Sequence, residues 1–203
     1  MSSPRKEQKD QTRARVRQAA LDLFSTAGFD ATTTKAVADR AGVATGTVFV
    51  HAKDKVDLLC LVMHDLLEEA TREAFASVPK GSLLTQMLHV FGKVIGMYGR
   101  VPNLAAPFIK HLPGASGPNA DRTNALTFEF LGALSAIIED AKARGEVAAD
   151  IESLGLARNL FALYFFSLMS WLGGFVSHAG IMPALEQAFV LQLRGIERPT
   201  RAG

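Results

Sequence analysis

Cysteine is nearly absent from this chain: Cys60 stands alone in 203 residues. No intrachain disulfide, cysteine zinc cluster or CxxC redox pair can form, so stability must come from packing. No signal-peptide-like apolar stretch follows the polar, basic opening MSSPRKEQKDQTRARVR, and the protein is expected to stay in the cytoplasm. GxSxG, HExxH and Walker sequences are all missing, and His64 and Asp65 adjoin on one helix, which should point them to different sides. An enzyme is therefore not expected. The histidines His64, His89 and His111 are scattered and no metal-ligand cluster is evident, so no metal and no other cofactor is expected. Alternating strand patterns and internal repeats are lacking too, which argues against a β or α/β architecture. With 48% apolar and 21% charged residues the chain still has material for a core, which rules out disorder and collagen-like order.

The net charge of +2 hides an asymmetry. Residues 1–55 hold ten Lys and Arg against six Asp and Glu, whereas residues 56–203 hold twelve against fourteen. Six of those ten cations, Arg5, Lys6, Lys9, Arg13, Arg15 and Arg17, fall in the first seventeen residues beside only Glu7 and Asp10. Such a density suits a polyanion such as DNA, although basic tails are often merely solvated.

Val16, Ala20, Leu23, Phe24 and Ala27 recur at helical spacing and predict a helix over 11–27, ended by Gly28 in the left-handed conformation. The cluster Asp30, Ala31, Thr32, Thr33 offers hydroxyls to the free amides of a second helix over 34–41, after which Gly42 turns the chain. A short third helix is expected over 45–50 and a fourth from Asp54 to about residue 76. Glycines and prolines cut the remainder into helices near 82–99, 103–112, 119–144, 153–177 and 184–195. The fold class that follows is all-α.

The strongest local signal is VADRAGVATGTV, residues 37–48. Ala38 must be small where the third helix crosses it, Gly42 permits the turn between steeply crossed helices, and Val43 and Val48 fill their angle. This is a helix-turn-helix pattern, though an ordinary helical corner uses the same residue types.

The longer run FSTAGFDATTTKAVADRAGVATGTVFVHAKDKVDLL, residues 24–59, resembles the N-terminal DNA-binding domain of the TetR family of transcriptional repressors. Its TT, AGV, GT, H and K..LL elements stand together at that family's spacing over about residues 10–60. The resemblance implies a three-helix helix-turn-helix domain over 1–53, followed by a helical ligand-binding and dimerisation domain over 54–203. It also implies a homodimeric repressor that binds double-stranded operator DNA and releases it when a small-molecule effector fills the second domain.

By the same resemblance the third helix, opening with Thr45, Gly46 and Thr47, enters the major groove. Thr45 and Lys35 are the base-reading candidates, while Thr33, Thr47, His51 and Lys55 look like phosphate clamps. Three departures from the family pattern matter. Ala44 replaces a frequent serine, so Thr45 is expected to take over the helix cap. Phe49 stands where tyrosine is usual and loses a hydroxyl while keeping a ring that suits a thymine methyl. Ala52 replaces a common phenylalanine, leaving larger neighbours such as Val56 to fill the joint with the fourth helix.

Between Asn159 and Gln187 the only formal charge is Glu186. A membrane span is rejected because Gly173, Gly174 and three serines dilute the stretch and no Lys or Arg flanks its C-terminal side before Arg194. A helix apolar all round suits double burial, one face on the core and one on a second subunit in a four-helix bundle. Leu185, Ala188, Phe189 and Leu193 are spaced to supply the second helix's share of that interface. Phe91, Tyr98, Phe108, Phe128, Tyr164, Phe165 and Trp171 would suit a mainly apolar pocket with a few orienting groups, pointing to an apolar or aromatic effector. Cys60, among apolar neighbours, reads as a small core residue. The alternative from another class is a helical dimeric interaction protein without sequence-specific DNA binding.

Overall fold

Nine helices and no strand form among residues 4–194, which are the residues described in the computed structural model. They are α1 (Pro4–Thr26), α2 (Thr34–Ala41), α3 (Thr45–His51), α4 (Lys55–Ala76), α5 (Leu83–Arg100), α6 (Pro102–His111), α7 (Pro118–Ala143), α8 (Ser153–Leu172) and α9 (His178–Arg194). The all-α expectation holds.

Three boundaries differ from the expectation for physical reasons. Helix α1 begins at Pro4 rather than near residue 11. Its first two turns are exposed and bury nothing, so they carry no apolar period, yet Arg, Lys, Glu and Gln are good helix formers and proline suits a first helical position. Helix α8 stops at Leu172, because Gly174 adopts a left-handed φ of 80°, and α9 starts at His178 with Pro183 inside it. Proline there removes one helical hydrogen bond without ending the helix. The last residue of the helix expected over 184–195 lies outside the described residues.

The chain divides into two compact units, Met1–Leu67 with Arg100–Ala125, and Glu68–Gly99 with Leu126–Gly203. In the first, α1 packs on α2, α3 and α6, and α2 packs on α3. Its core holds Val16, Ala20, Phe24, Val37, Ala38 and Val48, all essentially inaccessible to solvent. Ala38 is small where α3 packs, as the pattern requires. Phe24 and Phe29 close the α1–α2 corner with ring centroids 5.5 Å apart.

In the second unit, α8 packs on α9. Phe91 is the centre of an aromatic cluster, with Tyr164 at 4.8 Å, Phe189 at 5.3 Å and Phe130 at 5.5 Å between ring centroids. Among the described residues no helix is long and apolar enough to cross a membrane.

Candidate nucleic-acid interface

Helix α2 is capped at both ends as its residue types demand. The Thr33 hydroxyl accepts the Ala36 amide at 3.1 Å. Gly42 takes φ 65° and ψ 41°, and the Val43 amide then reaches back to the Ala38 carbonyl at 3.0 Å. The turn delivers the chain to α3, whose cap is Ala44 with no side-chain hydrogen bond. Thr45 does not take over that cap, contrary to expectation, because it is already the first helical residue. Thr45, like Thr47, is half-buried.

Within α3, Val48 and His51 turn inward, while Gly46 is exposed and Phe49 and Val50 are 51% and 65% exposed. Large apolar side chains so open on a helix held by its other face form a surface that fits a partner. A Cβ built on Gly46 would meet nothing within 4 Å, and Gly46 is not among the glycines with positive φ. The fold therefore gives no reason for glycine in this helix, where it weakens stability relative to alanine.

Lys35 extends from α2 and pairs with Asp39 one turn on at 2.9 Å, which raises its pKa through that hydrogen bond. An exposed pair of this kind is easily exchanged for another anion. Lys55 behaves differently. Its Nζ donates to the carbonyls of Phe29 at 2.9 Å and Asp30 at 3.2 Å and sits 4.4 Å from the centre of the Phe29 ring. The ammonium thus clamps the α1–α2 loop that leads to Thr33.

His51 is buried at the end of α3, and burial, then the cations Lys9 and Arg13, lower its pKa. Those two cations reveal where the basic opening goes. Arg5, Lys9 and Arg13 recur every fourth residue and share the α1 face that continues into buried Val16, Ala20 and Phe24. The cationic stripe accordingly lies on the side of α1 that faces the end of α3.

Acidic residues hold the frame. Asp22 on α1 accepts Nη2 of Arg40 on α2 at 2.9 Å, and Asp65 pairs with Nε of Arg17 at 2.6 Å. His64 and Asp65 do meet, Nδ1 to Oδ1 at 3.3 Å, despite being adjacent on one helix, so the expectation that they point apart is corrected. Both side chains bend toward the same edge, where Arg17 holds the carboxylate. Cys60 is buried, and burial, then Asp57 and Asp54, push its thiol up to about 12, as suits a core residue.

The effector candidates are divided between the two units. Phe108 is buried in the first unit, and Phe128 is exposed on α7. Phe91, Tyr98 and Tyr164 are buried in the second unit, while Phe165 and Trp171 are half-buried there. Tyr98 and Tyr164 share a hydrogen bond, and burial raises the pKa of both phenols. Phe161, stacked on Phe165 at 6.2 Å, and Phe130 complete the aromatic cluster and escaped the sequence reading because a phenylalanine among thirteen carries no local mark. His89 makes a 3.0 Å contact with Ser77, and the His111 ring lies 5.4 Å from that of Phe29.

Leu185, Phe189 and Leu193 are buried in the chain's own second unit, and Ala188 is half-buried. Helical spacing identified a covered stripe without telling which side covers it. The side left open carries Ala162, Phe166 and Met169 on α8 and Ala184, Gln187 and Leu191 on α9.

A helix-turn-helix with an exposed second helix, set beside a cationic stripe in an all-helical chain, is the arrangement that helix-turn-helix DNA-binding domains use. Residues 16–60 match the family described as bacterial regulatory proteins, tetR family. One similar solved structure is FadR of Thermus thermophilus, a TetR family transcriptional repressor in complex with lauroyl-CoA. It is 24% identical, covers 94% of this chain and 98% of its own, and has a TM-score of 0.71. FadR of Bacillus subtilis in complex with stearoyl-CoA is 17% identical over 91% of this chain and 99% of that one, with a TM-score of 0.71. A TetR transcriptional regulator from Rhodococcus sp. RHA1 is 24% identical over 92% and 97%, also at 0.71. None of the curated proteins matches. The N-terminal residues 16–60 thus match the TetR family's N-terminal domain, and the likeness to these solved structures shows a shared fold.

Proposed function

We propose that this protein is a ligand-responsive transcriptional repressor, working in the cytoplasm as a homodimer on double-stranded operator DNA. Residues 1–53 form the reading head, and residues 54–203 bind the effector and the second subunit. The observation that carries this reading is Gly46: an exposed helical glycine with open space around it and no conformational need suits a backbone that must come close to another molecule. Around it, Thr45, Thr47 and Phe49 face the groove, Lys35 reaches a base after leaving Asp39, and Thr33 contacts phosphate, while His51, read from the sequence as a phosphate clamp, is buried and serves instead at the end of α3. Arg5 and Lys9 add phosphate contacts beside α3. Lys55 serves by holding the loop that carries Thr33.

The effector we propose is a long-chain acyl-CoA. Two proteins of the same fold hold such molecules, and the second unit offers an aromatic interior in which the Tyr98 and Tyr164 hydroxyls are the buried polar pair. An acyl chain needs an apolar lining with few orienting groups. The second subunit is proposed to cover the open stripes of α8 and α9.

Selection of duplexes from a random library by the purified protein, followed by gel shift across a salt series, tests the reading. Steep weakening with salt and preference for the selected duplex are expected. Addition of lauroyl-CoA or stearoyl-CoA should then raise the melting temperature and release the duplex, whereas free CoA should do neither. No selected sequence, or salt-independent binding, refutes it.

A further inference from the structure

Asp57 is fully buried at the start of α4, and its carboxylate accepts four N–H donors. Oδ2 takes the Lys53 amide at 2.8 Å and Asn119 Nδ2 at 3.1 Å; Oδ1 takes the amides of Asn119 at 2.9 Å and Ala120 at 3.0 Å. Those last two belong to the first turn of α7, whose opening amides have no partner within the helix. Asp57 on α4 therefore caps a helix that begins about sixty residues further along the chain. Gly117, just before α7, leaves no room for a side chain, since a Cβ there would stand 2.6 Å from Asp57 Cγ.

Asn119 is itself 3% exposed. Its Nδ2 donates to Asp57 and also to the His51 carbonyl at 2.8 Å, and its Oδ1 accepts Arg13 Nη2 at 3.4 Å. The amide's orientation is dictated by these partners, because the reverse would set its oxygen against a carboxylate and a carbonyl. His51 closes α3, so one buried side chain ties the end of that helix to α1, α4 and α7. A seven-residue helix without a side-chain cap at its start is marginal by itself and takes its position from such anchors.

We infer that Asn119, held by Asp57, is a positioning residue for the recognition helix: it fixes the end of α3 and so sets the angle at which Gly46 and Phe49 meet a groove. The inference rests on the DNA-reading role proposed for α3. Because Asn119 is the second residue of α7, a shift of that helix moves the anchor of α3 directly.

The full-length protein, Asn119→Ala and Asp57→Asn are compared on a duplex selected by the wild type and on a random-sequence duplex of equal length. Asn119→Ala should lose about tenfold or more in affinity for the selected duplex and less than about twofold for the random one at low salt. Its amides at Val48–Ala52 should exchange hydrogen about tenfold faster while those of α8 stay unchanged. Asp57→Asn turns one amide donor toward other donors whichever way it faces, and should show the same pattern. Asn119→Ser is the substitute if the alanine variant does not melt cooperatively. An equal loss on both duplexes, or uniformly faster exchange, means general destabilisation and overturns the inference while DNA reading stands. A wild type that selects no duplex overturns the DNA-reading role itself, and the inference with it.

Discussion

The ammonium of Lys55 lies 4.4 Å from the centre of the Phe29 ring and donates to the carbonyls of Phe29 and Asp30. Its removal takes away a cation over an aromatic face and two charge-assisted hydrogen bonds, in a place that water reaches. Lys55→Ala should lower unfolding free energy in urea by about 1 kcal/mol. Binding should weaken on selected and random duplexes alike, through the loosened loop. The slope of log affinity against log salt should not change, because the ammonium is already engaged; a slope smaller by about one would show it on a phosphate instead.

Gly46→Ala separates folding from reading. A methyl there meets no atom within 4 Å, so the fold should gain about 0.5–1 kcal/mol from the better helix former. DNA affinity should drop by about tenfold or more, since the methyl occupies the space a base edge needs. The two measurements are thermal melting and gel shift on the same preparation. A destabilised variant would show that the fold requires glycine, and unaltered DNA binding would show that nothing approaches it.

What was legible in the sequence was local chemistry. The Thr33 cap and the left-handed Gly42 follow from bonds that span a few residues, so residue types alone imply them. The start of α1 at Pro4 was hidden because a helix with no buried face shows no apolar period. Lys55 was legible as a cation and illegible as a clamp, since its acceptors are backbone carbonyls 25 and 26 residues away. The Asp57 and Asn119 joint had no signal at all: it is made of common polar residues whose meeting depends on tertiary packing across the chain. The spacing of Leu185, Ala188, Phe189 and Leu193 reads as a subunit interface, whereas Leu185, Phe189 and Leu193 are buried in the chain's own core, because helical spacing marks a buried stripe without telling what buries it.

The lowered pKa of His51 makes stability depend on pH. Burial comes first among its causes, then Lys9 and Arg13, and all three disfavour the imidazolium in the folded state. Below about pH 6.5 the unfolded chain binds this proton more readily than the folded one, so the histidine's contribution is fully present above that pH and is lost as pH falls toward the folded pKa. Urea titrations from pH 7.5 down to pH 5.5 should show stability declining, and His51→Gln should decline less. Equal slopes for the two proteins would mean that other groups account for the whole effect.

Phe166 on α8 and Leu191 on α9 are 71% and 63% exposed, too open for apolar side chains of this size to be part of the chain's own core. If a two-fold partner covers them, each contributes about 2 kcal/mol of burial and does so twice, because both copies present the same patch. Replacing Leu191 by Glu should then raise the dimer dissociation constant by about a thousandfold. Sedimentation velocity at micromolar concentration should show dimers for the wild type and monomers for Leu191→Glu and Phe166→Glu, with cooperative melting preserved. Affinity for a two-fold symmetric selected duplex should collapse in step, since one reading head alone contacts a single half-site. A dimer that survives both substitutions would place the interface elsewhere, and a monomeric wild type would remove the second reading head from the proposed mechanism.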